Sequence, residues 1–159
     1  MSYEMNREYS KETQTSRKLN IALWIAQYLL GIFFLMGGAY VVFQPVEALA
    51  DKMSFVNYYS APMVKFIALS EMLGSLGLIL PSLLRIKPLL TPAAALGLAI
   101  TMGLATNYHL THGEGVAAPM TIILGAIALF IAWGRWKISP ILSKLRNTSV
   151  VTREEDFGL

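Results

Sequence analysis

Cysteine is absent from this 159-residue chain, which excludes disulfide staples, thiolate metal sites and any thiol relay of its own. A membrane thiol-oxidoreductase mechanism goes with them. Charge is scarce as well: 14% of residues are Asp, Glu, Lys or Arg, where soluble domains carry about 25%. There are only two histidines. His109 and His112 lie too close to one boundary for bis-histidine haem ligation, and neither forms a recognisable metal spacing with Glu114. No structural metal is expected. The chain also lacks a Gly-rich phosphate loop, a nucleophile elbow and a paired-carboxylate metal site, and no nucleic-acid motif accompanies its pI near 9.2.

What it has is apolar length. Hydrophobic residues make up 55% of the sequence and fall into four stretches, each long enough for the roughly 20 residues that cross a bilayer core. The fold class is therefore all-α integral membrane, a four-transmembrane-helix bundle with spans at about 19–43, 64–84, 88–111 and 116–138. Residues 1–18 are polar and charged without apolar periodicity, and read as a cytoplasmic tail. Residues 19–43 are too long for a signal-peptide core and form an uncleaved first span. After Pro45, the residues Val46, Leu49, Met53 and Val56 recur at helical spacing among Glu47, Asp51 and Lys52. They predict one short amphipathic helix in the first extracytoplasmic loop. Residues 139–159, ending in the acidic run Glu154, Glu155, Asp156, read as a second cytoplasmic tail with little fixed structure.

Lysine and arginine set the orientation. With both termini in the cytoplasm, eleven of the thirteen basic residues lie inside and only Lys52 and Lys65 lie outside. With four spans, this bias predicts a multi-pass protein with both its N- and C-terminus inside.

One acid breaks the apolar pattern. Glu71 opens the stretch Glu-Met-Leu-Gly-Ser-Leu-Gly-Leu-Ile-Leu-Pro at 71–81, about 10 Å below the outer end of the second span at 1.5 Å per residue. A charged side chain at the centre of a span costs about 2.5 to 3.5 kcal/mol on insertion scales, so a partner is expected. In that orientation His109, Tyr40, Asn107 and Gln44 belong to the same outer half. A Glu71–His109 pair would shuttle protons or hold the oxygens of a quinone head group. The plainer alternative is interhelical glue. Small residues mark the packing faces: Gly74 and Gly77 on the second span, Ala95, Ala99 and Gly103 on the third, and Gly125 on the fourth.

These pieces together resemble a known family. Gln-Pro-Val-Glu-Ala-Leu-Ala at 44–50, Pro62, the 71–81 motif, Pro88, Leu-Thr-Pro-Ala-Ala-Ala-Leu-Gly-Leu at 90–98, His109, Glu114 and Pro119 resemble the DoxX-like small membrane proteins in order and spacing. The resemblance implies a four-helix bundle of the bacterial cytoplasmic membrane. It also implies an association with quinone-linked redox chemistry, since the family takes its name from a subunit of thiosulfate:quinone oxidoreductase; more distant relatives act as chaperones or cargo receptors. Members often carry a lysine two residues after the position matching Ala39. Here that residue is Val41, which leaves open what neutralises Glu71.

The leading expectation is a DoxX-like accessory or quinone-interacting subunit of a membrane redox system, binding an apolar small molecule in the outer half of the bundle. If the chain is enzymatic, it is as part of a quinone-linked oxidoreductase; no catalytic residue is assigned, and quinone is the cofactor implied. Expected partners are the lipid bilayer, a membrane redox protein and further copies of the chain, but no nucleic acid. A non-enzymatic assembly or scaffold protein is the alternative. A small oligomeric transporter ranks third, because four closely packed helices leave little lumen.

Overall fold

The computed structural model describes residues 2–141, with side chains described from Arg17 onward. Among these residues every regular element is helical. They are α1 (Ser2–Phe43), α2 (Val46–Leu49), α3 (Phe55–Tyr58), α4 (Ala61–Leu84), α5 (Leu90–Thr111) and α6 (Ala118–Trp133), which runs on into a π-helical turn at Gly134–Ile138. Four segments are long and apolar enough to cross a membrane: Arg17–Phe43, Ala61–Leu84, Leu90–Thr111 and Ala118–Ile138. The acidic run at 154–156 lies outside the described residues.

Two boundaries differ from the sequence reading. A tail without regular structure is expected at 1–18, yet α1 is helical from Ser2 and reaches 42 residues. Extending an existing helix avoids the nucleation cost, and Glu, Lys and Arg are good helix formers. The single helix expected across 46–56 is instead two separate turns, α2 and α3. Their apolar residues Leu49 and Val56 turn into the bundle and are buried with Val41, Val64 and Ala68.

Local chemistry explains most helix ends. Pro45 cannot continue α1, and the lysine ammonium of Lys65 takes up its last carbonyls: Nζ donates to Val41 O at 2.7 Å, to Val42 O at 2.9 Å and to Gln44 O. A cation at a helix C-terminus also complements the macrodipole. Pro62 and Pro119 occupy first-turn positions of α4 and α6, where a missing N–H costs nothing. The α4–α5 hairpin turns through Arg85 and Lys87, both left-handed at φ 56° and 46°. Pro88 disfavours the right-handed helical region for Lys87, which helps stop α4 there.

The four long helices close a ring, α1 on α4, α4 on α5, α5 on α6 and α6 back on α1. Lipid tails are as apolar as leucine, so the ring is held by close packing and polar links rather than by a hydrophobic drive. A Cβ placed on Gly74 would meet Leu98 and one on Gly77 would meet Ala94, while Gly125 lies against Met102. Ala95 is buried and Ala99 packs beside it. Gly103, expected on the same face, is exposed with open space around it. A four-residue step at 3.6 residues per turn advances the face by about 40°, so two steps carry Gly103 off the packed side.

Candidate functional site

Glu71 lies on the inward stripe of α4. Val64, Ala68, Glu71, Ser75, Leu78 and Ser82 recur at three- and four-residue steps, and all are buried except the half-buried Glu71. The carboxyl sits at a seam. Ala68, one turn to one side, belongs to the apolar cluster with Val41, Leu49, Val56 and Val64. Leu78, two turns to the other side, belongs to the larger cluster with Leu30, Phe34, Leu98 and Ile131. Among the described residues no hydrogen bond or ion pair engages the Glu71 carboxyl.

The groups expected beside it are engaged elsewhere, at the end of the bundle that carries the 44–60 segment. His109 Nδ1 is 2.7 Å from Glu114 Oε2, and Ser54 Oγ donates to Glu114 Oε1. Tyr40 Oη accepts from Lys52 Nζ at 2.9 Å, which holds the exposed ammonium above its usual pKa. Gln44 contributes its carbonyl to Lys65, and Asn107 is exposed on the outside of α5. Lys65 replaces no counter-charge for Glu71: six residues along one helix is about 240° of rotation, placing the two on different faces. The five expected site residues are therefore not gathered into one cluster.

What forms at that end is a clip. Ser54 precedes α3, and its bond to Glu114 ties the 44–60 segment to the link between α5 and α6. Aromatic packing supports it, with His112 stacked on Tyr108 at 4.1 Å and edge-on to Tyr58 at 4.3 Å. The hydrogen bonds from Ser54 and His109 hold the Glu114 carboxyl below its ordinary value of 4.5. A carboxyl lowered in the folded state adds stability that is complete above the unfolded value and is lost as pH falls through the folded one. The clip is therefore expected to release only below pH 4.5. Amide exchange across 46–58 measures this: it should accelerate in that acidic range in the native chain, while Glu114→Gln shows no such step.

The opposite end, where α1 enters and α6 leaves, holds a polar network that spacing in the sequence did not single out. Arg135 Nε donates to Gln27 Oε1 at 2.5 Å, and Nη1 donates to Asn20 Oδ1 at 2.6 Å and to Ser139 O at 3.3 Å. Gln27 Nε2 in turn donates to Leu78 O at 2.9 Å and Ser82 Oγ at 3.3 Å, and Ser82 shares a 2.7 Å hydrogen bond with Thr91. One chain of hydrogen bonds thus joins α1, α4, α5 and the π-helical turn beyond α6. The Trp24 ring covers the guanidinium, 4.9 Å from Cζ. The signal was available in the register, since Arg135 stands seven residues after buried Ala128 and Gln27 four after buried Leu23. Neighbouring Trp133, Trp136 and Lys137 instead make Arg135 read as part of a boundary belt.

Chemically the two sites differ. The Glu71 seam offers one carboxyl among apolar groups, fit to exchange a hydrogen bond or a proton with a lipid-soluble molecule. The Arg135 network offers a fixed cation. Among the described residues no three His, Asp or Glu side chains gather as a metal site. No curated protein and no solved structure matches the chain. The model of the DoxX-like family matches residues 25–131, from within the first membrane helix to near the end of the fourth, and the chain belongs to that family.

Proposed function

We propose that this DoxX-like membrane protein binds a quinone, or a similar apolar molecule with a carbonyl head group, at the Glu71 seam, as an accessory subunit of a membrane redox system. The observation that carries this reading is the half-buried Glu71 carboxyl, unpartnered among the described residues on the packed stripe of α4. Membrane-embedded acids are expensive and mark ligand or proton pathways by default. A quinone oxygen would accept the hydrogen bond that the protonated Glu71 carboxyl can donate, and its tail would lie among apolar side chains. The quinone-linked chemistry implied by the family resemblance supports that ligand class. His109, engaged with Glu114, clips the loop rather than touching the ligand.

The same reading places both termini in the cytoplasm of a bacterial cell, because the described residues at their end carry eight basic groups against two at the other. Labelling a single cysteine introduced at either terminus of this cysteine-free chain would check the orientation. Titrating the purified protein in nanodiscs with a short-tailed quinone analogue tests the ligand. Saturable binding is expected. If none occurs while a mild-detergent pull-down recovers a stoichiometric membrane partner, the scaffold reading takes its place.

A further inference from the structure

Arg135 is 3% exposed, and its buried Nη2 has no hydrogen-bond partner among the described residues. The acceptors of Nε and Nη1 are all neutral, two side-chain amides and one backbone carbonyl. The segments nearest Arg135 at this end, 17–24, 82–92 and 133–141, contain Arg17, Lys18, Arg85, Lys87, Arg135 and Lys137 and neither Asp nor Glu; the acids of α1 at this end, Glu4, Glu8 and Glu12, lie further out along that helix. A buried cation with neutral partners and an orphan donor is an uncompensated arrangement, costly unless something anionic completes it.

The backbone is shaped to hold it there. Ser139 N–H donates to Gly134 O at 2.8 Å, the wide turn of a π-helix, a geometry that recurs at functional sites. A Cβ on Gly134 would lie 2.5 Å from Leu23 Cδ2, so a larger residue there would have to displace that buried side chain. Trp24 fixes the guanidinium plane from one side. Asn20, Trp24 and Ser139 are only half-buried, and Trp136 and Lys137 beside them are exposed.

We propose that Arg135 is the anchor of a phosphate-type oxyanion site, filled by the headgroup phosphate of an anionic lipid from the leaflet at this end. Nη2 donates to a phosphate oxygen once Trp24 or Ser139 yields, and Lys137 and Lys18 add charge around the mouth. Arginine is suited to this role because its planar fork leaves one nitrogen free to donate while the others stay bound to Gln27 and Asn20. Basic pockets between membrane helices recognise lipid headgroups by the same physics. The site lies at the other end of the bundle from the 44–60 clip and does not depend on the Glu71 reading.

Native mass spectrometry of the full chain with phosphatidylglycerol and with phosphatidylcholine tests it. Phosphatidylglycerol should bind saturably and in preference, and Arg135→Lys, which keeps the cation but loses Nη2, should weaken it by about tenfold or more. Lys137→Gln should weaken it less. Inorganic phosphate that binds alone and competes with the lipid would support the oxyanion site and assign its source to solution. The proposal is overturned if the native chain shows no preference, if Arg135→Lys binds as the native chain does, or if Lys137→Gln loses as much. It is also overturned if lipid binds only after Glu154, Glu155 and Asp156 are neutralised, which would make the chain's own tail the occupant.

Discussion

Replacing Gln27 with Leu is expected to destabilise the bundle by about 3 kcal/mol, a large effect for one near-isosteric change. Gln27 is fully buried and uses both ends of its amide, accepting from Arg135 Nε and donating to Leu78 O and Ser82 Oγ. Leucine fills the space but leaves Arg135 with another unmet donor beside Nη2, in a place where water cannot compensate. The expected remedy is informative. Adding Arg135→Leu to Gln27→Leu should restore most of the loss, because an apolar pair replaces a buried polar one at little net cost. Ser82 and Thr91 still satisfy each other in the double variant. Unfolding of the four proteins in one detergent gives the double-mutant cycle. Strictly additive losses would mean that the two side chains act independently, contrary to the geometry.

Gly38→Ala should cost about 2 kcal/mol, the range of overpacking, whereas Gly37→Ala should be neutral or stabilising by up to about 1 kcal/mol through helix propensity. The contrast rests on the two faces of α1. A Cβ on Gly38 would stand 2.8 Å from the backbone oxygen of Ala68 and 2.6 Å from Met72 Cγ, and a carbonyl inside a helix cannot step aside. Relief requires α1 and α4 to part, beside the seam that holds Glu71. Gly37 meets nothing within 4 Å. Gly31 is the intermediate case, since its near neighbour is the tip of the Ile79 side chain. Thermal melts of the three alanine variants should rank Gly38 lowest; equal melts would show that the two helices are not packed this closely.

The four spans were legible because an apolar run of bilayer length has no other stable fate, and the hairpin between α4 and α5 followed from the brevity of residues 85–89. Helix ends were harder. The helix formers Glu, Lys and Arg in residues 2–18 permit a helix but do not by themselves start one, since continuation depends on nucleation further along the chain. The loop helix divided because burying both Leu49 and Val56 against α4 outweighs keeping one straight amphipathic cylinder.

For the site, the sequence isolated Glu71 as the acid within a span but could not pair it. Shared depth is not contact: His109 has Glu114 five residues away, Tyr40 has Lys52, and the nearby lysine of α4 turns to the carbonyls ending α1. Arg135 was hidden by its neighbours. Trp136 and Lys137 do face outward, and only the register relative to Ala128 separates the inward arginine from them.

The central claim is that Glu71 makes the polar contact to a quinone-like ligand within the bundle. Its most direct test is the affinity of a short-tailed quinone analogue for the native chain, Glu71→Leu and His109→Ala, each in nanodiscs of one composition. Affinity should fall by about tenfold or more in Glu71→Leu, the loss of one hydrogen bond donated by the protonated carboxyl to a quinone oxygen, and should be unchanged in His109→Ala. Native-like affinity in Glu71→Leu, or a loss confined to His109→Ala, would contradict it.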